Sequence, residues 1–143
     1  MIIFFGIGTN LGNRETNLNE ALRLLDEQVG EQLSCSSVYR SAPVGFISEN
    51  EFANIVVAYR TNHSPEELLH ITQHIEREMG RTQKSVDGIY HDRVIDIDLL
   101  QAIRDTEHVV IDSPHLTIPH PRMHEREFVL VPLREVEKIL KIY

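Results

Sequence analysis

The apolar residues of this chain fall into several runs that have the length and spacing of β-strands. Residues 2–7 form an apolar run around one glycine, residues 94–100 are apolar apart from two aspartates, and residues 52–60 centre on a third run. Residues 32–40 alternate between two sets of side chains, which also predicts a strand. A shorter run near residues 109–111 predicts one further, short strand.

Two segments have apolar residues at helical spacing instead. The first would end at Gly30 and carries its stripe on Leu18, Ala21, Leu22, Leu25 and Val29. The second begins at a capping box, Ser64-Pro65-Glu66-Glu67, and would end at Gly80. Its stripe consists of Leu68, Ile71, Ile75 and Met79. A last helix is predicted from about Glu125.

The predicted elements follow in the order β-α-β-β-α-β, with a C-terminal extension. Two successive strands between the helices favour an α+β fold of the ferredoxin-like kind, in which a split βαβ pattern gives an antiparallel sheet packed by helices. No linker divides the sequence, so one domain covering residues 1–143 is expected. Residues 41–51 and 81–93 follow neither period and are predicted to be loops, the second one mobile.

Composition and charge narrow the class of protein. A chain of 143 residues that is 41% hydrophobic and 25% charged is typical of a globular domain, not of a disordered or membrane-spanning protein. The net charge of -8 argues against a nucleic-acid partner, although local cations could still hold a small anion. Cys35 is the only cysteine, which excludes an intramolecular disulfide. The apolar start lacks a basic leader, so a cytoplasmic protein is expected.

A glycine-rich turn, Gly6-x-Gly8-Thr9-Asn10-Leu11-Gly12, joins the first strand to the first helix. It loosely resembles the turn that approaches a pyrophosphate in dinucleotide-binding domains. The glycine spacing differs from that motif, and a parallel sheet would need a helix between residues 40 and 52. Tight backbone packing is therefore the favoured interpretation, and a dinucleotide-binding domain is a minor alternative.

The sequence Asp96-Ile97-Asp98 carries the most informative chemistry. On a strand, its two carboxylates would project from one face, roughly 6–7 Å apart, while Ile97 points into the core. Carboxylates this close repel each other unless a cation neutralises them, and their oxygens suit Mg²⁺ that also binds substrate phosphates. The pattern alone is equally compatible with the polar side of an edge strand. Three arginines favour the Mg²⁺ interpretation, because their guanidinium groups are the matching cations for phosphate oxygens. They are Arg81, Arg93 and Arg126.

Two further features are weaker. Prolines fix the backbone around His120, and Arg126 would open the last helix, whose N-terminal dipole favours anions; alone, this is more typical of a surface turn. His70 and His74 lie four residues apart and could share a metal. They lie outside the apolar stripe and lack the glutamate of the zinc-protease motif, so a solvated helix face is expected there.

Six short motifs occur in one order along the chain. They are Gly8-Thr9-Asn10-Leu11-Gly12, Ser37-x-Tyr39-Arg40-Ser41-x-Pro43, Phe52-x-Asn54, Ile75-Glu76-x-x-x-Gly80-Arg81, Arg93-x-x-Asp96-Ile97-Asp98-Leu99-Leu100, and Pro119-His120-Pro121-Arg122-Met123-x-x-Arg126-x-Phe128-Val129-Leu130. Together they resemble the 6-hydroxymethyl-7,8-dihydropterin pyrophosphokinase family over roughly residues 2 to 135. The last two motifs in succession are highly specific.

The resemblance implies transfer of pyrophosphate from ATP to the hydroxymethyl group of the pterin, with release of AMP, in folate biosynthesis. It implies that Asp96 and Asp98 hold two Mg²⁺ ions, that Asp98 helps to remove the hydroxyl proton, and that Arg81 and Arg93 are the catalytic cations. The positions that match the nucleotide side are Gln73, Glu76, Arg81, Arg93, Leu99, Thr117, His120 and Arg126.

On the pterin side, the resemblance implies that Phe52 and Phe128 sandwich the flat heterocycle while Asn54 and the backbone of Ala42 and Val44 read its edge. Without the resemblance, core packing would be the favoured role of both rings. Loops 44–50 and 82–92 are expected to close over the site. The chain departs from the family pattern at Tyr90-His91-Asp92 and Gln83. A monomer is expected, and a ligand-binding module of the same fold without chemistry is the main alternative.

Overall fold

A computed structural model describes residues 1–41, 51–80 and 94–142 of the chain. Within them the elements are β1 (Ile2–Thr9), α1 (Arg14–Gln28), β2 (Gly30–Cys35), β3 (Tyr39–Ser41), β4 (Phe52–Thr61), α2 (Pro65–Glu78), β5 (Asp96–Arg104), β6 (Glu107–His108), β7 (Ile111–Asp112), β8 (Thr117–Ile118) and α3 (Glu127–Leu140). The predicted loops 44–50 and 82–92 lie outside the described residues.

The main sheet has the strand order β2-β4-β1-β5-β6, and β3 also pairs with β4. Every neighbouring pair in this sheet is antiparallel. The prediction of an antiparallel sheet packed by helices is therefore confirmed. The dinucleotide-binding alternative is wrong, because that fold needs β1 to lie in a parallel sheet. Strands β7 and β8 form a separate two-stranded ribbon.

Helices cover both faces of the sheet. Alternate residues of β1, such as Ile3 and Phe5, point into the larger core cluster, which also includes the buried side of α1 and α2. The intervening Phe4 packs on the opposite face, together with Val56 and Leu100 and the buried side of α3. We call this second side the α3 face. It also contains the candidate site, and α3 packs there mainly against β2, β3 and β4.

The helix boundaries follow from local chemistry. Asn13 begins α1, where its side-chain oxygen accepts the Thr16 N–H at 2.9 Å, and the predicted capping box begins α2 with reciprocal bonds between Ser64 and Glu67. After α1 the chain passes close to β4: a Cβ on Gly30 would lie 2.1 Å from the carbonyl oxygen of Arg60. No helix within the described residues is long and apolar enough to cross a membrane.

Two departures from the predicted strands are larger than a shift of one or two residues at an end. The single strand expected over residues 32–40 is two strands, because Ser36 interrupts the ladder. Its hydroxyl oxygen accepts the Val56 N–H at 2.9 Å, and its own N–H donates to the Val56 carbonyl at 2.8 Å. Strand β5 also continues to Arg104, four residues beyond the predicted end. There the buried Gln101 donates to Glu137 of α3 at 2.9 Å, so a partner far along the chain satisfies its polar side chain.

Candidate functional site

The two aspartates of the D-x-D motif lie at the start of β5, where they face the same side of the sheet. Asp96 and Asp98 are half-buried, whereas Ile97 between them is only 5% exposed and belongs to the core under α1 and α2. This confirms the alternation predicted from the sequence. The carboxylates consequently project from the α3 face and stand apart from the apolar core.

Strand β1 offers glycines opposite both aspartates. Gly8 pairs with Asp96 and Gly6 pairs with Asp98, and on its other side β1 pairs the same glycines with Asn54 and Val56 of β4. Residues paired in this way share a face of the sheet. Because the glycines have no side chains, neighbouring side chains reach over their backbone: the Asn54 carboxamide over Gly8 and the Leu100 side chain over Gly6. We call this part of β1 the glycine floor, and it lets these groups lie close to the sheet beside the carboxylates.

A turn after β8 brings His120 to the free side of β5. The backbone N–H of His120 donates to the Leu100 carbonyl at 2.7 Å, which anchors the turn two residues beyond Asp98. Within its own turn, the imidazole Nδ1 lies 3.2 Å from the Arg122 N–H and accepts it. The proline-flanked turn predicted from the sequence therefore borders the aspartate pair.

Burial lowers the pKa of His120, and the positive charges of Arg126 and Arg122 lower it further. The negative charge of Asp96 acts in the opposite direction. The imidazole is therefore neutral at neutral pH. Because Nδ1 accepts the Arg122 N–H, the proton of the neutral ring lies on Nε2. His120 thus presents one hydrogen-bond donor beside Asp96 and Arg126.

Glu76 of α2 contacts the strand that carries the aspartates. Its side chain is 7% exposed, and its Oε2 accepts the backbone N–H of Ile97 at 2.9 Å. That N–H lies between Asp96 and Asp98, so the buried carboxylate holds the peptide that spaces them. Sequence reasoning missed this contact, because its two ends are 21 residues apart and belong to different elements.

The aromatic residues of the candidate site come from β4 and from the start of α3. Phe52 and Asn54 are on β4 with the side chains on the α3 face, and a Cβ built on Gly8 would meet atoms of both. Phe128, in the first turn of α3, packs against the α3-face cluster and is half-buried. The Arg126 guanidinium lies 5.6 Å from the centre of the Phe128 ring, a cation–π distance. Neither ring is fully buried, so both retain surface that a ligand could contact.

A family model described as 7,8-dihydro-6-hydroxymethylpterin-pyrophosphokinase (HPPK) matches residues 4–138. The chain belongs to this family. The 2-amino-4-hydroxy-6-hydroxymethyldihydropteridine pyrophosphokinase of Porphyromonas gingivalis is 47% identical over 135 residues, which cover 94% of this chain and 90% of the relative. The Bacillus subtilis protein of the same name is 40% identical over 136 residues, 94% of this chain and 77% of the relative.

Solved structures agree on the fold. A crystal structure of an HPPK-DHPS protein in complex with substrates superposes with a TM-score of 0.67 at 16% identity, and the match covers 94% of this chain and 40% of that one. A second HPPK-DHPS structure, from Plasmodium falciparum, gives a TM-score of 0.64 at 15% identity, over 91% of this chain and 38% of that one. At sequence identities of 16% and 15%, these superpositions support only the fold of this pyrophosphokinase.

The remaining predicted site residues of this pyrophosphokinase are placed as follows. Gln73 is half-buried on α2 one turn before Glu76, and Thr117 is exposed on β8. The Leu99 side chain is buried in the core, so any contact it makes with a nucleotide comes from its backbone. Four predicted residues lie outside the described part of the chain: Ala42, Val44, Arg81 and Arg93.

The histidine pair on α2 does not form part of this site. His70 and His74 are exposed, and His74 pairs with Glu78 on the same helix. Within residues 1–41, 51–80 and 94–142, no three His, Cys, Asp or Glu side chains converge in the geometry of a metal site. A cation on the aspartate pair would therefore need its other ligands from water, from a substrate or from residues elsewhere in this pyrophosphokinase.

Proposed function

We propose that this family member transfers pyrophosphate from ATP to 6-hydroxymethyl-7,8-dihydropterin and releases AMP, as a step of folate biosynthesis. The observation that carries the proposal is the half-buried pair Asp96 and Asp98 on a glycine floor. Cationic and aromatic groups flank that floor. The relatives named as pyrophosphokinases of this pterin share the motif-bearing region, since they match 94% of the chain.

The aspartate pair fits Mg²⁺, and two ions are part of the proposal. Two half-buried carboxylates supply the hard oxygen ligands that Mg²⁺ prefers, and it usually completes its shell with water and substrate phosphates. When bound, Mg²⁺ would neutralise phosphate charge and favour loss of the proton from the attacking hydroxyl.

The reaction exchanges one P–O bond for another and releases one proton. The hydroxymethyl oxygen bonds to the β-phosphorus of ATP, the bond from that phosphorus to the α,β-bridging oxygen breaks, and AMP leaves with that oxygen. In this proposal Asp98 accepts the hydroxyl proton. Arg81 and Arg93, which lie outside the described residues, stabilise the charge that develops on the transferred phosphates.

The nucleotide occupies the side of the floor next to His120 and Arg126. Neutral His120 offers its Nε2–H as a donor, and Arg126 offers a guanidinium at the N-terminal end of α3, where the helix dipole also favours anions. Gln73, Glu76, Thr117 and the backbone of Leu99 complete this side. The half-buried position of the imidazole limits competition from water.

The pterin occupies the neighbouring space between the rings of Phe52 and Phe128, the second of which contacts Arg126. Both rings are half-buried and can stack on a planar heterocycle. The Asn54 carboxamide reads the polar edge of that heterocycle, assisted by the backbone of Ala42 and Val44. In this proposal the hydroxymethyl group of the pterin points towards Asp98.

The proposal also covers the type of fold, the oligomeric state and the cellular location of the protein. The four long strands follow the order β2-β4-β1-β5 with two helical crossovers, and this order supports a ferredoxin-like split βαβ plan within one domain over residues 1–143. The acid excess and the single cysteine support a cytoplasmic monomer. Size-exclusion chromatography with light scattering checks the monomer, which a mass of twice 16.5 kDa would contradict.

Replacing Asp96 with asparagine tests the proposed site. Asparagine keeps the shape but removes the charge, so Mg²⁺-dependent ATP binding should weaken at least about tenfold, with turnover falling further. Asp105→Asn is the matched control, because Asp105 lies in the turn after β5 at the far end of the sheet. Isothermal titration of both variants with ATP, with and without Mg²⁺, makes the comparison. A ligand-binding module without chemistry would instead leave Asp96→Asn unaffected.

A further inference from the structure

The Asn54 carboxamide is confined on the side facing β1. Asn54 is 7% exposed, and its direct partner across the β1–β4 ladder is Gly8. A Cβ built on Gly8 would lie 2.6 Å from Asn54 Oδ1, closer than van der Waals contact allows, and 3.9 Å from a ring carbon of Phe52. The carboxamide oxygen therefore occupies space that exists only because residue 8 is glycine.

On the side facing β3, the same carboxamide is held by a hydrogen bond. Asn54 Nδ2 donates to the Ser41 hydroxyl oxygen at 3.3 Å. Ser41 is the direct partner of Phe52, so it lies diagonally across the ladder from Asn54, within reach of its side chain. One end of the carboxamide is thus fitted against Gly8 and the other is bonded to Ser41.

We propose that Gly8 and Ser41 are positioning residues that orient the Asn54 carboxamide for recognition of the pterin edge. This inference rests on the proposed function. Gly8 leaves the space for the oxygen, and Ser41 holds the nitrogen on the opposite side. Neither residue needs to touch the substrate itself, since both act through Asn54.

The orientation matters because a carboxamide is polar in a directional way. It has two N–H donors at one end and an acceptor oxygen at the other. The bond to Ser41 uses one N–H, which leaves one donor and the oxygen for a ligand whose edge offers an acceptor beside a donor. Rotation of the amide by 180° would exchange its donor and its acceptor. The polar groups on the edge of the bound ligand would then face mismatched groups of the amide, and such a mismatch is how a polar site rejects a wrong ligand.

Three variants test the proposal by direct binding of 6-hydroxymethyl-7,8-dihydropterin, with a non-hydrolysable ATP analogue and Mg²⁺ present. Gly8→Ala should raise the Kd of the pterin about tenfold or more, because the methyl group displaces Asn54. Ser41→Ala should raise it about three- to tenfold, the range for one lost hydrogen bond, and Ser41→Thr should restore it. The Kd of the ATP analogue should change less than twofold in all three.

Ser37→Ala is the matched control for Ser41→Ala. It also removes a serine hydroxyl, but that hydroxyl donates to Glu135 of α3 and not to Asn54. Its pterin Kd should therefore stay within about twofold of the wild type. Thermal unfolding of every variant checks that it folds. If Gly8→Ala does not fold, the Ser41 pair still decides the question.

A double-mutant cycle separates positioning from a general loss of structure. In the Asn54→Ala background, Gly8→Ala and Ser41→Ala should each change the pterin Kd less than twofold, since no carboxamide is left to orient. Effects that persist in full in that background, or a Ser41→Ala variant with wild-type affinity, would overturn the inference. A wild-type protein that binds no pterin would instead overturn the proposed function on which the inference rests.

Discussion

Replacing Glu76 with alanine removes the carboxylate that holds the peptide between the two aspartates. Its Oε2 accepts the Ile97 N–H at 2.9 Å, and the two residues are only 7% and 5% exposed. Water therefore does not readily take the place of the lost acceptor. A buried N–H left without its partner costs about 1–3 kcal/mol, and the space vacated by the side chain adds to this cost. We expect the free energy of unfolding to fall by about 2–4 kcal/mol.

Two further variants show whether the hydrogen bond is the cause. Glu76→Gln keeps a side-chain oxygen at nearly the same place, so its free energy of unfolding should stay within about 1 kcal/mol of the wild type. Glu78→Ala removes an exposed glutamate from the last turn of the same helix, where it pairs with His74. This control should change stability by less than about 0.5 kcal/mol.

Urea unfolding followed by circular dichroism measures all three. With a slope near 2 kcal/mol per molar urea, Glu76→Ala should lower the midpoint by about 1–2 M. Because Ile97 separates Asp96 and Asp98, the alanine variant should also bind ATP and Mg²⁺ more weakly while still folded. The reasoning is refuted if Glu76→Ala is no less stable than Glu78→Ala, or if glutamine is as damaging as alanine.

Four shorter predictions concern the scaffold. Burial raises the pKa of the Cys35 thiol to about 11, and the charges of Glu135 and Asp26 raise it further. At pH 8 the thiol of the native protein should therefore react with a disulfide reagent far more slowly than that of the unfolded chain. Equal reaction rates would contradict this. The stability that this thiol contributes is complete below pH 9 and is lost as the pH rises towards 11, which urea midpoints across that range would show. Tyr59→Phe removes a hydroxyl that donates to Asp26 at 2.5 Å and should cost about 1–2 kcal/mol in urea unfolding, whereas an unchanged midpoint would show that the bond adds nothing. Gly30→Ala should cost about 3 kcal/mol or prevent folding, because the Arg60 carbonyl cannot move aside; a wild-type melting temperature would refute the close approach.

Local periodicity was enough to predict the main elements and the direction of the aspartates. The alternation around Ile97 placed Asp96 and Asp98 on one face, and the capping box placed the start of α2 at Ser64, as the structure shows. These features depend on residues within one or two turns of each other. The same information predicted an antiparallel sheet, because two strands in succession cannot both be parallel neighbours without a crossover.

What periodicity missed depends on contacts between distant parts of the chain. The break at Ser36 comes from a hydroxyl that bonds to the Val56 peptide, 20 residues away, while the alternation of side chains continues across it. The longer β5 depends on Glu137 satisfying Gln101. The contact of Glu76 with Ile97 has no local signature. Only the family resemblance indicated that His120 belongs with the aspartates, since no spacing rule connects them.

The most direct test of the account is the appearance of AMP. Purified protein is incubated with ATP and Mg²⁺, with and without 6-hydroxymethyl-7,8-dihydropterin, and AMP is quantified by chromatography. The account predicts AMP in proportion to the pterin consumed, together with the pterin pyrophosphate, and almost none without the pterin or with Asp96→Asn. AMP released at the same rate without the pterin, or ADP in its place, would contradict it.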